Sequence, residues 1–438
     1  MVHPVEGDDD PEEPAHNGHV NTPLSLYPCP NPTNAIVRAP AGLSTAHAIA
    51  HLRLTRGANN GMIQSHPCFG TATVVRQRVG PRPSDRKELG VIKCALVSGR
   101  GMGLLHGRNF HKNPDAKVVA VCDMEAEPLA KAKEEFQVPG YATLEEMLAQ
   151  SDAELVLLIV NETRRIGPLR QSLAAGRHVF TEKPLCGLET QYRVRESDAA
   201  VAAPAIREWR ASGLKFGINY NYRFFRHFRK LHQDAVEGRL GEIKMVRARA
   251  HFNCWSHVID QILWTMGRPE WVSVMGDPSE PGGWQRMIRM KWASGVVGQL
   301  DGSNTWGYDD HPLRIMIVGD KSYGEARGLD GWYRRCKANS WPTAVEELWE
   351  VEKGVQEYNE SFGRMADAVV KALLAGEPFP ADGEAAWNEL LFEAAVHRSA
   401  LNDGERVRLA DVEQAAFGAD RKPSRAKAKP AKPEKPAR

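Results

Sequence analysis

The stretch "VIKCALVSGRGMG", residues 91–103, sets a short apolar run against a glycine-crowded turn, and a helical pattern follows from Leu104. Val91 to Val97 has the length and composition of a buried strand. A strand that passes through glycines into a helix offers backbone amides and the positive end of the helix dipole, as a pyrophosphate requires. Glycine-rich turns also arise for packing, so the second element matters. Asp123 closes the next apolar run, "AKVVAVCD" (116–123), 20 residues beyond Gly103. An acid there accepts hydrogen bonds from adenosine ribose hydroxyls. Its charge would repel a 2′-phosphate, which favours NAD over NADP; capping of the following helix is the alternative role for Asp123.

Outward from this unit the alternation continues. "EPLAKAKEEF" (127–136) and "LEEMLAQ" (144–150) read as helices; "ELVLLIV" (154–160), "HVFTEKP" (178–184) and "KFGINY" (215–220) read as strands. Short apolar strands separated by helices predict a parallel, doubly wound sheet. Beyond it, "EIKMVRARAHF" (242–252), "MIRMKWA" (287–293), "VVGQLDGSNTW" (296–306) and "PLRIMIVG" (312–319) partly alternate between turns. They predict an antiparallel sheet, with helices near 258–266, 357–375 and 384–402. The expected fold class is therefore α/β: an N-terminal Rossmann dinucleotide-binding domain over 89–220, then a C-terminal α+β domain over 221–412 with a large open, mainly antiparallel sheet. Residues 1–88 show no sustained period and read as a disordered extension or an over-long translation start. Residues 413–438 read as a basic disordered tail, with Pro and Lys repeating in "RKPSRAKAKPAKPEKPAR".

Composition narrows the function classes. The chain has 438 residues, 42% hydrophobic and 26% charged, which excludes wholesale disorder and a fibrous repeat. The net charge of +2 names no polyanionic partner, because the basic tail, eight Lys or Arg against one Glu in 421–438, offsets a mildly acidic body. No nucleic-acid partner is expected from it. The seven cysteines are widely spaced without a C-x-x-C pair, which points to a reducing cytoplasm and away from structural zinc. His251, His257 and His311 with Asp309 and Asp310 match no standard metal spacing, so no metal is expected. No apolar run reaches the ~18 residues of a membrane span, so no membrane partner is expected either.

Several segments resemble the glucose–fructose oxidoreductase / inositol dehydrogenase / rhizopine-catabolism (Gfo/Idh/MocA) family. They are "VCDMEAEPLAKAKEEF", "AAGRHVFTEKPL" (174–185), "NYRFFRHFRKL" (221–231), "GRLGEIKMVRA" (238–248) and "SHVIDQILWTMG" (256–267), with further matches to about residue 410. The resemblance implies an oxidoreductase that transfers a hydride between NAD and a secondary alcohol of a sugar, cyclitol or related polyol, held between the open sheet and the nicotinamide. It also implies a homo-dimer or homo-tetramer. Glu182, Lys183 and Pro184 match the family's Glu-Lys-Pro turn, whose lysine contacts the nicotinamide ribose and the reacting hydroxyl. His257 matches the catalytic histidine, and Asp260 the acid of the same helix turn.

The departures are specific. Without a gap, the family's G-x-G-x-x-G reads Ser98-Gly99-Arg100-Gly101-Met102-Gly103, so two of three glycines are replaced; a one-residue shift restores Gly99 and Gly101 and breaks the third spacing. Arg100, at the point of closest backbone approach, either clashes with phosphate or binds it directly. The Thr-Pro-Asn segment near the nicotinamide becomes Val160-Asn161-Glu162, its downstream histidine becomes Arg165, and the acid four residues before the catalytic histidine becomes Asn253.

Alcohol oxidation needs a base for the hydroxyl proton and a hydride acceptor facing the carbon. His257 suits the first role, with Lys183 stabilising the developing alkoxide and Asn253 orienting the substrate. Tyr222, Arg223, Trp255 and Asp260 are the expected substrate contacts. Two other readings stay open: a non-catalytic dinucleotide- or sugar-binding regulator, and an NAD-assisted elimination or glycoside-cleaving enzyme.

Overall fold

The computed structural model describes residues 90–276, 285–305, 313–352 and 356–419. The expected extension over 1–88, Asp309 to His311 and residues 420–438 lie outside the described residues.

Six strands, β1 (Ile92–Val97), β2 (Ala116–Cys122), β3 (Gly140–Tyr141), β4 (Leu155–Leu158), β5 (His178–Thr181) and β6 (Phe216–Ile218), form one sheet. Its order is β3-β2-β1-β4-β5-β6 and every pairing is parallel. Such strands are buried on both faces, which is why they read as continuous apolar runs rather than alternating ones; β4 is buried at all four positions. The helices α1 (Gly101–Lys112), α2 (Ala126–Phe136), α3 (Leu144–Gln150), α4 (Ile166–Ala174) and α5 (Glu196–Ser212) connect them. The strand order reverses between β1 and β4, and ligands of such sheets bind at that reversal, outside the carboxyl ends of the strands.

The chain then forms α6 (Arg226–Val236), β7 (Ile243–His251), α7 (Trp255–Met266), β8 (Trp271–Met275), β9 (Gln285–Lys291), β10 (Val297–Ser303), β11 (Leu313–Gly319), β12 (Ser322–Arg327), β13 (Trp332–Lys337), β14 (Val345–Glu350), α8 (Glu357–Leu374), α9 (Gly383–Leu401), β15 (Val407–Arg408) and α10 (Leu409–Ala419). Its nine strands lie in the order β14-β13-β12-β11-β7-β10-β9-β8-β15. Only the β7–β10 pair is parallel. Burial alternates strictly along β9, from Gln285 out and Arg286 in to Lys291 out, as a sheet with one covered face requires.

Two boundaries differ from the linear expectation. Helix α8 packs on the parallel sheet: Met365, Ala366, Val369 and Val370 share one apolar cluster with Ile92, Leu104 and Phe110. Asn113 donates to Asp367 at 2.7 Å in the same contact. Each of the larger side chains contributes about 1.5–3 kcal/mol by burial, so the first layer is completed by a helix from late in the chain. The tail also begins later than residue 413. Helix α10 continues to Ala419, because Val412 and Ala416 bury their side chains and Glu413 binds both Arg268 at 2.6 Å and Trp387 at 2.7 Å. Among the described residues no helix is long and apolar enough to cross a membrane.

Candidate active site

The turn after β1 constrains residues of both readings of the glycine motif: Gly101 has φ 44°, and a Cβ on Gly99 would lie 2.2 Å from the Pro128 carbonyl oxygen. Ser98, in the first glycine position, has φ 106°, a left-handed conformation that costs a residue with a Cβ. Gly103, in the third, has no room for a side chain: a Cβ there would lie 2.2 Å from the Ser98 carbonyl oxygen. Arg100 is the N-cap of α1, yet no side chain caps that helix and its first turn holds no acid. The first amides and the positive helix end are thus not neutralised by a carboxylate of the helix itself, which fits a bound pyrophosphate. Ser98→Gly removes the unfavourable φ. We expect a gain of about 1 kcal/mol, reduced by the freer unfolded chain, and seen as a higher thermal midpoint. An unchanged or lowered midpoint would mean that Ser98 is held there without strain.

At the end of β2, Asp123 accepts from the Gly99 amide at 2.8 Å, the Glu125 amide at 3.0 Å and the Arg100 guanidinium at 3.2 Å. Burial by itself would raise this carboxyl, but the two amides and Arg100 outweigh it and hold Asp123 below its ordinary range. The acid is ionised at neutral pH.

The carboxyl ends of β4, β5 and β6 converge on a cavity of about 290 Å³. Its wall includes Met102 from α1, Val160 and Arg165 after β4, Glu182 and Lys183 after β5, Asn219 after β6, and His257 from α7. Tyr358 and Phe362 of α8 close one side. Glu182 is fixed from three directions, by His106 Nε2 at 2.7 Å, the Asn219 amide group at 2.6 Å and the Lys183 backbone at 3.0 Å. Burial would raise its carboxyl, but the His106 contact, the nearby Lys183 charge and Asn219 prevail and bring it down to about 2. Lys183 Nζ donates to Gln191 at 2.9 Å. Pro184 is buried and its carbonyl accepts from the Arg165 guanidinium, which also holds the Val160 carbonyl at 2.6 Å. Arg165 therefore ties the β4 and β5 ends together.

His257 is 5% exposed and lies flat against Tyr222, ring centres 4.0 Å apart and planes within 10°. Burial first, and the Lys183 charge second, depress its pKa well below the ordinary histidine value. Its Nδ1 is buried with no hydrogen-bond partner among the described residues, and the nearby Glu182 charge, which favours the imidazolium, is outweighed by burial and Lys183.

The cavity wall brings together Met102, Glu182, Lys183 and His257 of the expected site residues and leaves out others. Tyr222 is the stacking support of His257, with Phe225 on its other face at 4.4 Å. Arg223 and Asp260, expected as substrate contacts, are instead buried in a two-point ion pair at 2.8 and 2.5 Å, with Arg223 also on the Pro380 carbonyl at 2.6 Å. Their charges are consumed by each other. Trp255 is 2% exposed and packs over the Arg286 guanidinium at 5.3 Å, in the core rather than on the wall. Asn253 is exposed and accepts from the Tyr192 hydroxyl at 2.9 Å. Asn161 is exposed too, and its side chain caps the single turn 162–164 by accepting from the Thr163 amide at 2.9 Å. The sequence reading passed over His106, Gln191, Asn219, Asn221, Tyr358 and Phe362. Asn219 had one usable signal, its place at the carboxyl end of the last parallel strand.

Residues 92–203 match the oxidoreductase family with an NAD-binding Rossmann fold. The chain is 23% identical over 350 residues to myo-inositol 2-dehydrogenase of Thermotoga maritima, covering 72% of this chain and 98% of that one. The family matched over residues 92–203 is Gfo/Idh/MocA. That match is to an NAD-binding oxidoreductase fold. Solved structures agree on the fold of the chain. An oxidoreductase from Agrobacterium radiobacter in complex with NAD+, L-tartaric acid and magnesium superposes with a TM-score of 0.63 at 14% identity, covering 73% of this chain and 99% of that one. Levoglucosan dehydrogenase in complex with NADH and levoglucosan gives 0.62 at 16%, with the same coverage.

Proposed function

We propose that this protein oxidises a secondary alcohol of a sugar, cyclitol or related polyol, or reduces the corresponding ketone, with Lys183 and His257 as its catalytic residues. The observation that carries this reading is the meeting of these two side chains on one cavity wall, at the carboxyl ends of a parallel sheet whose first turn is built for a pyrophosphate. The myo-inositol and levoglucosan dehydrogenases among its relatives support a polyol substrate.

The residues present fit a nicotinamide dinucleotide. Amides of Gly101 and Met102 would hold the pyrophosphate, Asp123 the adenosine ribose, and Glu182 and Lys183 the nicotinamide end. When bound, NAD supplies a ring carbon that takes up a hydride. The chain's own residues do the rest. Lys183 binds the substrate oxygen through its ammonium group and orients it. His257 then accepts the hydroxyl proton at its cavity-side ring nitrogen. Burial and the Lys183 charge make the imidazolium readily give up its proton. Glu182, ionised at all ordinary pH, positions the Lys183 backbone by accepting its amide. Exposed Met275, Met287 and Val297 on the open sheet support pairing of two copies through that face. The five described cysteines are free, consistent with a reducing cytoplasm.

A panel of cyclic polyols and sugars with NAD, followed at 340 nm, tests the proposal. Turnover with at least one cyclic polyol is expected; binding of NAD without turnover on any of them would support the regulator instead. The pH profile gives a second check. His257 works in its neutral form and its pKa is lowered, so kcat/KM should hold constant through about 6.5, the ordinary histidine value, and fall only at lower pH. A fall centred at or above that value that disappears in His257→Asn would contradict the buried, depressed histidine.

A further inference from the structure

The acid at the end of β2 does not act alone. Asp123 is largely buried, whereas the Arg100 side chain that contacts it is 51% exposed. The same guanidinium reaches Glu125 at 2.9 Å, and Glu125 is itself 66% exposed. An isolated carboxylate in this position rejects a 2′-phosphate by charge repulsion and keeps both oxygens for ribose hydroxyls. Here a cation lies against that charge, and it comes from the residue that replaces the family's second glycine.

We propose that Arg100 is a specificity-determining residue that makes the nucleotide site tolerant of a 2′-phosphate, so that the chain binds NADP as well as NAD. The inference rests on the reading of Asp123 and the glycine turn as the adenosine end of the nucleotide site. A guanidinium offers the planar, paired donors that phosphate oxygens accept. Its present partner, Glu125, is solvent-exposed, and such surface ion pairs hold weakly. Arg100 can therefore exchange the Glu125 carboxylate for a phosphate. Asp123 Oδ1 takes two donors and Oδ2 only the Gly99 amide, so Oδ2 retains acceptor capacity for a ribose hydroxyl. The side chain that departs from the motif thereby turns a selective pocket into a permissive one.

Isothermal titration of the full chain with ADP-ribose and with 2′-phospho-ADP-ribose reads this directly, because neither ligand carries a nicotinamide and no turnover is involved. The two dissociation constants of the unaltered protein should agree within about tenfold. In Arg100→Gly, loss of a charge-assisted contact should weaken the phosphorylated ligand by about 10- to 100-fold and leave ADP-ribose within about threefold. Glu125→Gln, which frees the guanidinium, should tighten the phosphorylated ligand alone. A phosphorylated ligand more than about 100-fold weaker in the unaltered protein, or equal losses for both ligands in Arg100→Gly, would overturn the inference and leave NAD binding standing. If the folded protein binds neither ligand, as checked by circular dichroism, the nucleotide-site reading falls and the inference with it.

Discussion

Lys183→Ala should cut turnover by at least about 10²-fold and leave the fold intact. The side chain follows β5, is half-buried, and its one direct partner among the described residues is Gln191 at 2.9 Å, so its removal strands no buried charge. Loss of a donor placed on developing oxyanion charge typically costs about 10²–10³ in kcat, and a larger loss is reasonable where the same group also orients the substrate. Circular dichroism and the thermal midpoint should stay at the unaltered values. A second signature separates catalysis from packing. The Lys183 charge helps depress His257, so in Lys183→Ala the residual activity should lose its acid limb at a higher pH than the parent. An unaltered rate would remove Lys183 from the mechanism.

Breaking the Arg223–Asp260 pair should have the largest effect on stability. Both groups are buried, 7% and 1% exposed, and they meet through two hydrogen bonds. Arg223 also faces the Trp264 ring at 5.1 Å. Either Arg223→Ala or Asp260→Ala leaves an uncompensated buried charge, which costs about 3–5 kcal/mol, measurable as a lower urea midpoint. The double replacement Arg223→Met with Asp260→Leu should recover most of that loss, since an apolar pair of similar volume is often no worse than the ion pair. If the single variants keep full stability and lose substrate affinity instead, these two residues belong to the substrate pocket after all.

The architecture was legible where local pattern and long-range packing agree. The apolar run at 92–97, the glycine turn and Asp123 already imply a parallel sheet with a ligand at its carboxyl edge, because a strand buried on both faces cannot alternate. The reach of α8 was not legible. Its periodicity says that Met365, Val369 and Val370 need cover, but which sheet supplies it depends on contacts hundreds of residues away in sequence. The outer strands β13 and β14 were hidden for a different reason. Their charges are spent on partners that no local pattern reveals: Arg335 joins Asp234 at 2.6 Å, Glu346 at 3.1 Å and Glu347 at 3.2 Å.

The candidate site divides in the same way. Glu182, Lys183 and His257 carry family motifs and stand on one cavity wall. Motif position alone does not tell whether a charged residue faces the cavity or pairs behind it, and Asp260, three residues from His257, pairs with Arg223. His106 and Asn219 are found only through Glu182, the acid they hold. The altered glycine turn also changes in meaning. Ser98 occupies the left-handed position, Gly103 the tight approach, and Arg100 sends its side chain to Asp123, so the replaced residues still form one turn.

The most direct test of the central claim follows an isotope. A cyclic polyol deuterated at its secondary carbons is incubated with NAD and the full chain, and the reduced nucleotide is analysed by mass spectrometry. Deuterium carried in the reduced nicotinamide, absent with Lys183→Ala, is the result predicted for hydride transfer in this cavity. Reduced nucleotide that never carries the label, or none formed from any cyclic polyol while NAD binds, would contradict it.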